Sequence, residues 1–113
     1  MNFTLVQTEI FWKRWKQFRL NDEDLQALEM LLLKRPEAGA VMAGTGGLRK
    51  IRFSPPSRHS GKSGAYRVTY ALFPAARVIL LVSIFAKADQ ANLTAAEKAR
   101  FKTLLQSLSK QLG

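Results

Sequence analysis

The 113-residue chain is predicted to be one α+β domain spanning 1–113, with element order β-α-α-β-β-β-α. The expected architecture is a mainly antiparallel four-stranded sheet with a helical hairpin and a C-terminal helix. Three observations predict it. Apolar residues recur at helical spacing in three segments, apolar runs suited to strands occur in four, and glycine or proline clusters separate them. The length supports a single core. A content of 47% hydrophobic and 23% charged residues is that of a folded domain rather than a disordered chain.

Asn2 to Gln7 alternates, with Phe3 and Leu5 on one side, and reads as a short first strand. Thr8 is placed to cap the helix that follows, whose apolar stripe is Phe11, Trp15 and Phe18 at i, i+4, i+7. Lys13, Arg14 and Lys16 fall mostly off that stripe. A second helix starts within Leu20 to Asp24, with Asn21 or Asp22 as its cap and acids in its first turn, where the helix dipole favours them. Leu25, Leu28, Leu31 and Leu32 form its buried stripe, and Pro36 and Gly39 end it.

Gly44, Thr45, Gly46 and Gly47 make a turn. Leu48 to Ser54 and Ala65 to Phe73 read as two strands joined by a polar loop from Pro55 to Gly64. After a turn at Pro74, the near-continuous aliphatic run from Arg77 to Lys87 reads as a central strand buried on both faces. Thr94 with Glu97 has capping-box spacing, and Phe101, Leu104, Leu105, Leu108 and Leu112 complete an amphipathic last helix. The longest apolar run, Val78 to Ala86, is too short to span a bilayer, which takes ~20 helical residues. The first residues lack the pattern of a secretory signal, so no membrane association is expected. Without cysteine, neither a disulfide nor a thiolate metal site is possible, and a reducing, cytoplasmic setting is expected.

The net charge of +10 favours a polyanionic partner and fast, salt-sensitive association with it. The charge is also unevenly placed. None of the eight acids lies between Ala38 and Ala88, a window holding Arg49, Lys50, Arg52, Arg58, Lys62, Arg67, Arg77 and Lys87. A generic solubilising surface mixes both signs, so this window predicts a dedicated cationic face. Side chains alternate along a strand. Lys50 and Arg52 therefore share the side opposite Ile51 and Phe53, and Arg67 with Thr69 lies opposite Tyr66, Val68 and Tyr70. With the apolar sides turned to the helices, Lys50, Arg52 and Arg67 converge, and Lys87 borders them. Fixed cations suit a phosphate and, more so, the phosphorane-like transition state of phosphodiester cleavage, where negative charge grows. RNA supplies its own nucleophile, the 2′-OH. One histidine and no cysteine leave few metal ligands, so neither metal nor cofactor is expected.

The run from Gly44 to Phe53, the loop ending Gly61, Lys62, Ser63, Gly64, and the strand Tyr66 to Tyr70 together resemble the RelE superfamily, most closely its HigB-type members. Pro36 to Gly39, Phe85 to Lys87, Asp89, Asn92 to Thr94 and Glu97 fit the same pattern, so the resemblance covers nearly the whole chain. It implies a RelE-like fold and the toxin of a type II toxin–antitoxin pair, cleaving mRNA on the translating ribosome. It also implies a helix-turn-helix, HigA-like antitoxin as partner. Lys50 and Arg52 align with the family's paired basic positions, Arg67 with its following arginine, and Lys87 with a further basic position. On that basis Lys50 helps deprotonate the 2′-OH, Arg52 and Arg67 bind phosphorane oxygens, and Lys87 or Lys62 assists the leaving group. Arg49, Arg58 and Lys62 are the expected RNA-binding residues. The chain departs from the best-studied member in two ways: Arg52 replaces a lysine and, as a guanidinium, makes a poor base, and the last helix has no tyrosine.

Other signals are weaker. Gly61, Lys62 and Ser63 lack the upstream glycine of a phosphate-binding loop, since that position is Pro56. Histidine as a residue type can move protons near neutrality, but His59 stands alone in a polar loop. Trp12 and Trp15 suit core or interface packing better than base stacking. Two other functions remain open: a ParE-like toxin that inhibits gyrase by binding, and a non-catalytic RNA-binding module.

Overall fold

The computed structural model describes residues 2–58, 66–89 and 93–113. Its elements are β1 (Thr4–Gln7), α1 (Glu9–Gln17), α2 (Asp22–Lys34), β2 (Ala40–Val41), β3 (Leu48–Phe53), β4 (Tyr66–Phe73), β5 (Val78–Ala86), a 3₁₀ turn (Lys87–Asp89) and α3 (Ala95–Leu112). The class is α+β, but the sheet has five strands rather than four, in the order β1-β5-β4-β3-β2, and it is mixed. β1 lies parallel to β5, from Thr4↔Val78 to Gln7↔Leu81, while the other pairings are antiparallel. β2 is two residues long, too short to show a periodicity, and pairs Ala40 with Lys50 and Val41 with Arg49.

The caps behave as the sequence suggests. Thr8 Oγ1 accepts the Phe11 N–H at 3.0 Å and closes the first turn of α1. Asn21 and Asp24 form a capping box on α2, and Thr94 and Glu97 form another on α3. Thr8 does more than cap. Its N–H donates to the Leu81 carbonyl and its hydroxyl to the Val82 carbonyl, two acceptors at and just beyond the end of the β1 ladder.

The two faces of the sheet carry separate cores. On one, Phe11 and Trp15 of α1 and Leu28 and Leu32 of α2 close over Phe53, Val68, Tyr70, Ile79, Leu81 and Ile84, all essentially without solvent exposure. Burial of each large side chain contributes ~1.5–3 kcal/mol. Trp15 stacks between Phe11 and Phe53, with ring centroids at 5.5 and 6.1 Å. On the other face α3 rests mainly through Leu105 on Leu48, Ala71 and Phe73. That cluster is smaller, which is why β5 is fully buried on one side only: Ile79, Leu81 and Ile84 are inaccessible, whereas Val78, Leu80 and Val82 keep partial exposure.

Tyr70 ties the first core to the segment after α2. Its hydroxyl donates to the Pro36 carbonyl at 2.7 Å and accepts the Gly39 N–H at 2.9 Å. A Cβ at Gly39 would fall 2.8 Å from the Tyr70 ring, so glycine is what lets the chain approach this closely. Buried between these partners, the phenol is held above its ordinary pKa by desolvation, against the lowering effect of the Gly39 bond.

Candidate active site

The sheet face under α3 changes character row by row across β3, β4 and β5. Leu48, Ala71 and Leu80 form an apolar row beneath the helix. Next come Lys50, Thr69 and Ser83, and then Arg52, Arg67 and Phe85. Lys50, Arg52 and Arg67 thus lie on one face, as the alternation of β3 and β4 requires. Arg52 and Arg67 are direct cross-strand partners, ~5 Å apart at Cα, and Lys50 lies on the diagonal at ~7–8 Å. Arg52 is exposed, and Lys50 and Arg67 are half-buried. Arg67 Nη1 donates to its neighbour's carbonyl, Tyr66 O, at 3.1 Å.

A β-bulge shapes the second row. Thr69 opposes Ser83 while Tyr70 opposes Leu81, so Val82 is the extra residue of β5. Leu81 and Ile84 stay in the first core, while Val82 joins the α3 cluster and Ser83 turns to the same side. The bulge therefore sets Ser83 beside Thr69 and brings Phe85 into line with Arg67.

A groove of about 290 Å³ opens between these rows and the start of α3. Lys50, Thr69, Ser83 and Phe85 floor it, Leu48, Met42, Leu93 and Phe101 give it apolar walls, and Asp89, Glu97 and Arg14 supply further charge. Glu97 Oε1 accepts the Thr94 N–H at 2.9 Å, and this bond, together with the Thr94 hydroxyl and Arg100, holds its carboxyl below the ordinary range and ionised. The groove's lining is thus mixed in sign, and the facing guanidiniums of Arg52 and Arg67 lie next to it.

The other basic residues singled out from sequence are placed differently. Arg49 points to the hairpin side with its partner Tyr70, and its Nη1 donates to the carbonyls of Glu37 at 3.2 Å and Gly39 at 2.8 Å. Arg58 bonds the Phe18 carbonyl and lies near Asp24, also by the hairpin. Both guanidiniums hold backbone together there rather than joining Lys50. Lys87 is exposed in the 3₁₀ turn after β5 and does not line the groove. Lys62 and His59 lie outside the described residues.

Arg14, Asp89 and Glu97 are not among the site residues expected from the sequence. Arg14 reads as one of several solvent-facing cations on α1, and only the strand order shows that it reaches the groove. Glu97 was visible as a cap and Asp89 as one residue of a pattern, but not as neighbours of Lys50. Among the described residues no group of three or more His, Asp or Glu side chains is arranged to hold a metal ion. No described helix is long and apolar enough to cross a membrane.

Comparison with known proteins gives a consistent result. Residues 4–112 match the family model described as the RelE toxin of the RelE/RelB toxin–antitoxin system. A free-state structure of an E. coli RelE double mutant superposes with a TM-score of 0.54 at 22% identity, covering 94% of this chain and 98% of that one. A chain of the intact E. coli RelBE toxin–antitoxin complex superposes with a TM-score of 0.54 at 26% identity, covering 79% of this chain and all of that one.

Proposed function

The chain belongs to the RelE toxin family of toxin–antitoxin systems, and from that premise we propose that it is a ribosome-dependent endoribonuclease acting on translated mRNA. The observation that carries this reading is the pair of polar rows, Lys50-Thr69-Ser83 and Arg52-Arg67-Phe85, on a sheet face that α3 covers only in part. A surface that acts by binding another protein has no need of opposed guanidiniums in the strands.

In the proposed reaction the 2′-oxygen of one nucleotide attacks the adjacent phosphorus and the 5′-oxygen of the next leaves, giving a 2′,3′-cyclic phosphate and a 5′-hydroxyl. Lys50 stands beside the nucleophile and assists removal of its proton. Arg52 and Arg67 bind the non-bridging oxygens as charge grows on them, donors already in place before the reaction begins. Lys87, in the turn beyond β5, or Lys62 assists departure of the 5′-oxygen. Positioning by the ribosome supplies the alignment that a shallow, open face lacks. Translating ribosomes place the activity in the cytoplasm. The partner we propose is a helix-turn-helix, HigA-like antitoxin; that E. coli RelBE is a complex of toxin and antitoxin supports an antitoxin as partner.

The test is purified protein added to a translating extract, with mRNA ends mapped with and without ribosomes. Cuts that need ribosomes, carry 5′-hydroxyl ends and vanish in Arg67→Ala support the reading. Intact message with poisoned gyrase, or RNA retained but uncut, overturns it.

A further inference from the structure

Arg14 belongs to α1, which packs on the hairpin side of the sheet, yet it lines the same groove as Lys50, Thr69 and Ser83. The strand order explains how. β1 pairs with β5 only from Val78 to Leu81, so among the described residues the rest of β5 has no strand beside it on that edge. Arg14 crosses that edge, and its Nη1 donates to the Ile84 carbonyl at 3.5 Å. This bond is long, and among the described residues it is the guanidinium's one hydrogen bond, leaving most of its five N–H donors for another partner.

We propose that Arg14 is an RNA-binding residue whose guanidinium takes a backbone phosphate of the cleaved strand, on the far side of the groove from the scissile phosphate. This rests on the RNA-cleaving reading given above. Charge placement directs it. Asp89 and Glu97 line the groove beside Lys50, so its middle is mixed in charge, and guanidiniums stand at its margins. One rim is Arg52 and Arg67, and the other is Arg14 beyond β5. From β3 to β5 is ~10 Å by interstrand spacing, which leaves room for a nucleotide between the two phosphate contacts. The interior suits a base better than a phosphate. Phe85 and Phe101 give it aromatic surface, and the Thr69 and Ser83 hydroxyls with the two carboxylates offer acceptors for an amino edge.

The experiment is single-turnover cutting of a synthetic mRNA on programmed ribosomes, read as the saturating rate and the protein concentration giving half of it. Arg14→Ala is expected to raise that concentration about tenfold, the effect of one charge-assisted contact, with the saturating rate within about threefold of wild type. Arg14→Lys should recover part of the loss. A message carrying one uncharged methylphosphonate linkage, moved stepwise past the cut site, locates the partner. At one position wild type should lose the same factor and Arg14→Ala should lose nothing more. A half-saturating concentration unchanged in Arg14→Ala overturns the proposal. So does a loss that no substituted linkage absorbs, which would put the phosphate in ribosomal RNA. Wild type that makes no cuts at all removes the RNA-cleaving reading, and this proposal with it. Wild type that cuts beside an unaltered Arg14→Ala removes this proposal alone.

Discussion

Arg52 on β3 and Arg67 on β4 are direct cross-strand partners, two guanidiniums aimed at the same open face. Like charges placed opposite one another oppose strand pairing, and the strand alternation leaves neither a way off that face. On the reading proposed above, a phosphate bound between them would ease this opposition. Arg52→Ala is therefore expected to leave the urea midpoint unchanged or raise stability by ~0.2–1 kcal/mol. The same change should slow cutting at least ~100-fold, as loss of one preorganised donor does. A variant that is both less stable and fully active would contradict the assignment.

Lys50 separates a proton-moving role from a charge-supplying one. Lys50→Ala should slow cutting by ~10²–10⁴-fold while the fold survives, because the side chain is half-buried at the groove and outside both apolar clusters. Lys50→Arg keeps the cation but not a group that readily gives up a proton to act as a base. Recovery of wild-type rate in Lys50→Arg would assign Lys50 to phosphate binding alone.

Tyr70→Phe removes the hydroxyl that joins the Pro36 carbonyl to the Gly39 N–H. Both groups would lose a partner, Gly39 being buried. The expected cost is ~1–3 kcal/mol in urea unfolding. Because β2 follows Gly39 directly, the outer edge of the sheet should exchange amide hydrogens faster. An unchanged midpoint would mean that water replaces the phenol without penalty.

Asp24 gives the fold an acid limit. The side chain has no solvent exposure, and burial alone would raise its pKa. The Ser57 hydroxyl at 2.6 Å, the Asn21 and Ser57 amides and the charge of Arg58 outweigh burial and hold the carboxyl below the ordinary aspartate value. A lowered folded pKa means stability that is complete above the unfolded pKa and lost as pH falls through the folded one. Asp24→Asn should cost roughly 1–2 kcal/mol at neutral pH, and the gap from wild type should close in acid as Asp24 itself protonates. A gap that stays constant with pH would show that charge is not involved.

Gly46 sets where α3 sits. Its φ is +73°, and a Cβ there would lie 2.9 Å from the Lys102 Cα, a backbone atom that cannot swing aside. Gly46→Ala should destabilise by ~1–3 kcal/mol through backbone strain and displace the middle of α3. Phe101 and Glu97 wall the groove from that helix, so the half-saturating concentration for cutting should rise as well. Gly47, with open space around it, provides the comparison: Gly47→Ala carries the strain of a φ of +113° without the clash.

Much of the fold was legible in the residues because the signals were local. Thr8, Asn21 and Thr94 mark helix starts through bonds made within a few residues, and the stripes of α1, α2 and α3 repeat within a turn or two. The alternation of β3 and β4 put Lys50, Arg52 and Arg67 on one face for the same short-range reason. What the residues left open was non-local. β2 has too few residues for a pattern, and β1 pairs in parallel with a strand more than 70 residues away, at Thr4↔Val78. Arg49 and Arg58 share composition with the cluster but are drawn to carbonyls beside the hairpin.

Contacts a few residues apart thus set the class and order of every element except β2, the helix caps, and the shared direction of three cations. The strand order, the bulge that turns Ser83 toward Thr69, the open edge Arg14 crosses, and the placing of Glu97 and Asp89 on the groove that Lys50 floors came only with tertiary packing. Those depend on which buried faces close on one another, a global choice of packing that no local pattern encodes.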